Sequence, residues 1–249
     1  MTDTYDELAR SLDALTVPRA AMTIGAHPDD AEFGAGATLA RWASLGCEVT
    51  MVIVTDGSKG SWDERTDPSA LAARRVEEQR NAAEILGATR IVHLGHVDGE
   101  LVYSPSLREQ LAREIRRAAP EVVLTHDPWQ RYQLHPDHRA TGFGAVDAVV
   151  SAREPLALAD SGLPAHRVTS LLLWSADEPD HAEEVEDRWF ETKVAALLCH
   201  SSQSETTMGN AAGSNEERMA FVAKIRSWHE EQGARLGTGP AEVFKRLHP

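Results

Sequence analysis

AAMTIGAHPDDAEFGAGATLARWASLG, residues 20–46, runs from an apolar stretch through a polar turn into helical spacing, and its reading decides the fold. Residues 20–26 have the length and unbroken apolarity of a strand buried on both faces. Residues 31–46 repeat their apolar side chains at the spacing of one helix face and close on Gly46, suited to a C-terminal cap. Between the two, His27-Pro28-Asp29-Asp30 sets an imidazole and two carboxylates where the strand stops, with Pro28 stiffening the turn through its fixed φ.

Outward from this unit the same alternation recurs. Strands are predicted over 48–55, 90–94, 121–126 and 168–175, and helices over 71–87, 104–120, 138–152, 183–200 and 216–235, with 201–215 a loop. The pattern predicts an α/β, Rossmann-like fold in one domain spanning 1–249: a mostly parallel sheet with helices on both faces. Sheets of this kind bind ligands beyond the carboxyl ends of their strands, where the strand order reverses. The polar clusters at 27–30, 56–58, 96–98 and 126–138 all follow predicted strands and so fall on that one edge. A strand order of 3-2-1-4 would bring AHPDD and the later HPDH (135–138) face to face.

Thirty-nine acidic against twenty-five basic residues leave a formal charge of −14, which repels nucleic acid and anionic membranes and favours a neutral or cationic small substrate. No apolar run reaches the roughly 20 residues of a membrane span, and MTDTYDELARSLDAL lacks the basic and apolar segments of a secretory leader, so a cytoplasmic protein is expected. Cys47 and Cys199 are far apart and outside any C-x-x-C, which argues against a disulfide framework or a thiolate metal site.

On its own, AHPDD admits two jobs: His27 and Asp30, three residues apart in a turn, can share a metal, or Asp29 or Asp30 can cap the next helix. HPDH adds two imidazoles and a carboxylate at the start of another helix, and the two clusters together can supply three ligands to one centre. Two His and one carboxylate also form the facial triad of non-haem iron oxygenases, but those sit on all-β frames. A dinucleotide-binding reading has Gly34 and Gly36 as G-x-G, yet the third glycine is absent and the carboxylates of AHPDD would repel a pyrophosphate.

The stretches AHPDDAEFGAGATLARWASLGCEVTMVIVTDG, RRVEEQRNAAEILGA, LGHVDGEL, VVLTHDPWQRYQLHPDH, KVAALLCHSSQ and PAEVFKRL resemble, in order, the PIG-L or LmbE-like family of metal-dependent N-deacetylases acting on N-acetylglucosamine-containing compounds. The resemblance implies His27, Asp30 and His138 as ligands of Zn2+, with Fe2+ or another divalent metal as alternatives, Asp29 as general base and His135 as a helper to the developing charge, able to stabilise the oxyanion if protonated. It further implies Arg75 and Asp98 as sugar contacts, with Arg74 the neighbouring candidate, and Tyr132 near the oxyanion, although the spacing from Tyr132 to HPDH is one residue longer here. Asp137 suits a hydrogen bond to an imidazole or a helix cap. Trp62 and Trp129 are candidate plates for a sugar ring, and Lys193, His200 and Gln203 read as supporting residues. The expected substrate is a small N-acetylated amino sugar, with a thiol conjugate or antibiotic intermediate as the alternative amide, and a homo-oligomer follows by analogy.

Overall fold

The computed structural model describes residues 15–249, so all but Leu15 of the stretch read for a leader lies outside the described residues. Seven strands, β1 (Ala20–Gly25), β2 (Glu48–Thr55), β3 (Arg90–His96), β4 (Val122–His126), β5 (Ser170–Trp174), β6 (His181–Glu184) and β7 (Ala241–Leu247), form one sheet in the order β3-β2-β1-β4-β5-β7-β6. The first five are parallel, and β7 runs antiparallel to both β5 and β6. The expected order 3-2-1-4 is present, and Ile24 of β1 pairs with Thr125 of β4 next to the switch point.

Alternation along the strands explains why they read as continuous apolar runs. Val49, Met51, Ile53, Leu124 and Leu172 pack on one face with Leu39, Trp42 and Leu86 from α1 (Asp30–Ser44) and α2 (Pro68–Leu86), a face that α5 (Asp187–Leu197) also covers. Met22, Ile24, Val52, Val123 and Leu171 point the other way, onto Leu107, Leu111 and Ile115 of α3 (Pro105–Ala118) and Ala145 and Val149 of α4 (Pro136–Arg153). Each such fully buried Leu or Ile contributes roughly 1.5–3 kcal/mol relative to exposure. A last helix, α6 (Asn215–Arg235), packs against β7.

Three expectations shift. The helix predicted over 183–200 begins only at Asp187, because 181–184 forms β6. β7 was not foreseen, since Glu242 interrupts its apolar alternation. The helix predicted from 138 starts at Pro136, whose missing N–H is harmless in the first turn, with His135 at the N-cap. Gly46 does close α1 as expected: left-handed at φ 95, it donates to Ala43 O while Cys47 N donates to Trp42 O, both at 3.0 Å.

Helix α1 is broken at Ala35, which has φ −150 and ψ 16. The amides freed on the far side, Ala37 N and Thr38 N, donate to the Glu242 carboxylate at 3.0 and 2.8 Å. Lys193 Nζ, fully buried on α5, donates to Phe33 O at 2.7 Å, a carbonyl on the near side, and pairs with Glu242 Oε1 at 2.7 Å. One ion pair thus satisfies both sides of the break, as buried backbone groups require. Gly34 sits beside it where a Cβ would meet the Trp174 ring at 2.5 Å, so only glycine lets α1 lie this close to β5.

Candidate metal centre and active site

The turn after β1 is tight because nothing projects from Gly25, where a Cβ would lie 3.1 Å from Asp30 Cβ. Asp30 is thereby folded back, and its Oδ2 accepts from His27 N at 2.7 Å. Across the switch point, the first turn of α4 brings in His138. His27 Nδ1 lies 3.2 Å from His138 Nε2 and 3.6 Å from Asp30 Oδ2, and His138 Nε2 lies 3.4 Å from Asp30 Oδ1. Donors bound tetrahedrally at 2.0–2.1 Å sit roughly 3.3 Å apart, so these three side chains lie near the spacing one small cation requires, with each imidazole facing a different Asp30 oxygen.

The surroundings of the three donors fit a cation as well. His27 Nε2, turned away from His138, lies 3.1 Å from Asp98 Oδ1 and 3.3 Å from Asp137 Oδ2, a carboxylate hold that leaves Nδ1 as the free lone pair. Without a metal this site asks for positive charge: burial lowers the His27 pKa, but hydrogen bonds to Asp137, Asp30 and Asp98 overcome it and push the imidazole up to about 12. Burial brings His138 down to about 3, so it is a neutral imidazole, the form that ligates. Burial works against ionisation of Asp30, yet its contacts with His138 and His126 and the hydrogen bonds from His126 and His27 hold its carboxyl well below the usual range.

His126, at the end of β4, belongs to the polar edge read from the sequence but had no role assigned to it. Trp174 Nε1, which can only donate, bonds His126 Nδ1 at 3.1 Å and so favours the ring proton on Nε2, which lies 3.0 Å from Asp30 Oδ2 and 3.3 Å from Ala26 N. Asp30, His126 and His138 are close enough to hold a cation by themselves, but with Nε2 turned to the carboxylate His126 serves to orient Asp30, stacked on His138 at 4.2 Å between centroids.

Asp29 is at the N-cap of α1, but its side chain makes no capping bond. Its backbone is left-handed at φ 108, rare for a residue with a Cβ and typical of functional turns. The Oδ2 atom is buried without a hydrogen-bond partner among the described residues, and lies 3.4 Å from Arg75 Nη2. Burial raises this carboxyl from 3.8 to about 6, with Arg75 pulling the other way. Strain, an orphan oxygen and a raised pKa together set it apart from a capping aspartate.

Asp137 does not cap α4 with its side chain. It accepts from Gly99 N at 2.7 Å and Leu101 N at 3.3 Å while touching His27, tying the loop after β3 to the centre. Asp98, on that loop, accepts from Lys59 N at 3.0 Å and is held down to about 2, where burial is outweighed by the His27 hydrogen bond. His135 Nδ1 accepts from Asp137 N at 3.3 Å, which leaves a neutral N–H on Nε2. Burial and the His27 charge lower its pKa, which favours the neutral donor over the protonated form.

A cleft of about 630 Å³ opens over these residues, with His27, Asp29, Asp30, Asp98, His135 and His138 in its floor and Trp62 on its rim. Arg75 also lines it, but its guanidinium donates inward to Pro28 O and to Gly57 O (3.2 Å) besides facing Asp29. Arg74 is turned away to Glu78 and Ser201. Tyr132 is not brought to the cleft: it is 86% exposed at φ 62 and absent from the cleft wall. Trp129 likewise packs edge-on against Phe143 outside the cleft. Gln203 lines the cleft and donates to Gly60 O, His200 pairs with Glu32, and Lys193 serves the helix break.

Comparison with known proteins gives this geometry a lineage. Diacetylchitobiose deacetylase of Thermococcus kodakarensis is 36% identical over 185 residues, which cover 73% of this chain and 69% of the relative. The 1D-myo-inositol 2-acetamido-2-deoxy-alpha-D-glucopyranoside deacetylase of Kineococcus radiotolerans is 32% identical over 177 residues, covering 59% of this chain and 48% of the relative. The solved structure of N,N'-diacetylchitobiose deacetylase from Pyrococcus horikoshii, in complex with its inhibitor MPG, superposes with a TM-score of 0.84 at 29% identity, over 100% of this chain and 93% of that one. Residues 22–149, from β1 through AHPDD and HPDH into α4, match the profile of PIG-L, GlcNAc-PI de-N-acetylase, and the chain belongs to that family.

Proposed function

We propose that this protein hydrolyses the acetamide of a small N-acetylated amino sugar or its conjugate, releasing acetate and the free amine. The observation that supports this most is the convergence of His27, Asp30 and His138 within 3.2–3.6 Å of one another beside a buried Asp29 oxygen that accepts no hydrogen bond among the described residues and faces Arg75. The relatives named as deacetylases of N-acetylated sugars support the substrate class.

His27, Asp30 and His138 would hold one divalent cation, and the two-nitrogen, one-oxygen set favours Zn2+, with Fe2+ the next candidate. When bound, such a cation lowers the pKa of water and polarises the amide carbonyl. Asp29 takes the proton of the water that attacks the carbonyl carbon. His135 Nε2–H donates to the oxyanion as the carbonyl π bond opens. The C–N bond then breaks, and Asp29 returns the proton to the departing nitrogen, so the carboxylate is regenerated. Asp98 and Asp137 keep His27 in the tautomer that presents Nδ1. We place the enzyme in the cytoplasm, where the free thiols of Cys47 and Cys199 suit a reducing environment. No described helix is long and apolar enough to cross a membrane.

The test is amine release from N-acetylglucosamine and its conjugates by metal-analysed protein. Turnover that chelation abolishes and Zn2+ restores is the expected result. A protein loaded with metal that releases no amine from any of them would overturn the reading.

A further inference from the structure

Beside the cleft lies a second chamber of about 230 Å³, and Gly34, Gln130, Trp174, Ser175 and Trp228 are common to both walls. Its far wall comes from α6 and from the segment after β5, through Gln232, Arg235 and Asp177. The chamber is smaller than the roughly 300–1,000 Å³ of a complete small-molecule site, which makes it a place for part of a ligand whose reacting end is in the cleft.

The wall is fixed before any ligand arrives. Arg235 donates to Asp177 O at 2.8 Å and to Gln232 Oε1 at 2.8 Å, tying α6 to the segment after β5. Asp177 Oδ2 accepts from Arg131 N at 2.6 Å, which binds in the loop that bears Gln130. Ser175, at the junction of the two spaces, is held left-handed at φ 60, a conformation costly for a residue with a Cβ and found where function over-determines the backbone. His229 Nε2 accepts from Lys193 at 3.0 Å, so its ring proton is on Nδ1, a donor in the wall residue with no acceptor among the described residues.

The chemistry offered is an indole from Trp228 beside uncharged hydrogen-bonding groups on Gln130, Ser175 and Gln232, while the charged wall residues Asp177, Arg235 and Glu242 are engaged by Arg131 N, Asp177 O and Lys193. An aromatic plate with amide and hydroxyl partners suits a neutral polyhydroxylated ring, whose C–H face stacks while its hydroxyls bond. We propose, building on the deacetylase reading above, that this chamber binds the second ring of the substrate, a sugar or polyol joined to the ring that bears the acetamide, and that Trp228 and Gln232 determine preference for substrates with that ring.

The experiment compares kcat/KM for N-acetylglucosamine and for its β-1,4-linked dimer in the wild type and in Trp228→Ala, Trp228→Phe and Gln232→Ala. The wild type should prefer the dimer. Trp228→Ala and Gln232→Ala should lower the dimer-to-monomer ratio at least tenfold and severalfold respectively, mainly through KM, and Trp228→Phe should restore most of it. Should Trp228→Ala fail to fold, Gln232→Ala and Trp228→Phe still read the ratio. A wild type without preference for the dimer, or ratios unchanged in variants that remain active, would overturn the chamber assignment alone. A wild type that releases amine from neither compound would overturn the deacetylase reading along with it.

Discussion

At the scale of single residues, Asp29 is where stability and chemistry conflict. Its carboxyl moves from 3.8 in the unfolded chain to about 6 in the fold, so the folded state binds the proton more tightly than the unfolded one. The favourable contribution is present below pH 3.8 and is lost as pH rises through 6, leaving the ionised, buried group a cost of about 3 kcal/mol at neutral pH. Metal-free Asp29→Asn should therefore melt several degrees above metal-free wild type at pH 7.5 and match it near pH 3.5, read by thermal scans at both values. The same substitution should cost ~10²–10⁴ in turnover with metal content retained, and a loss of only a few-fold would remove Asp29 from the base role. In the wild type, the acid limb of kcat should fall as Asp29 takes up its proton. His138→Ala should lose metal as well as turnover, and unchanged stoichiometry would count against its place among the ligands. AHPDD and HPDH could be recognised as facing clusters because a strand order sufficed to bring them together. The hold on Asp30 by His126 could not, since it depends on Trp174, 48 residues further on, to choose the tautomer.

At the scale of elements, the five parallel strands were legible because burial on both faces leaves unbroken apolar runs. β6 and β7 were not, and the reason is chemical: Glu183 and Glu242 are inward-facing charges neutralised by Arg41 and Lys193, residues 142 and 49 positions away, whose pairing no local spacing announces. The break in α1 was hidden for the same cause. Lys193→Met should leave Glu242 buried without its cation and cost roughly 3–5 kcal/mol, measured by denaturant titration. Gly34→Ala should push the Trp174 ring away from α1 and with it the hydrogen bond that sets His126. The expected signature is weaker metal retention on dialysis at a stability loss of about 1–3 kcal/mol. Metal retention equal to wild type would show that Trp174 does not govern the centre.

For the molecule as a whole, the charge of −14 surrounds a cleft lined by the carboxylates of Asp29, Asp30 and Asp98. An N-acetylated sugar bearing a phosphate should react with lower kcat/KM than its neutral parent at 0.01 M salt, and the gap should narrow at 0.15 M as the Debye length falls from roughly 30 to 8 Å. A gap indifferent to salt would assign the discrimination to contacts within the cleft. One sheet with two continuous cores should also unfold as one cooperative unit, with calorimetric and van't Hoff enthalpies in agreement. The same long-range wiring has a temporal side. Ala37 awaits Glu242 for 205 residues of synthesis, roughly 10–40 seconds at 5–20 residues per second, and until then the first turn of α1 has no frame. A ribosome-bound chain stalled short of residue 242 should accordingly capture no Zn2+, making cation uptake an event of the finished polypeptide and not of the growing one.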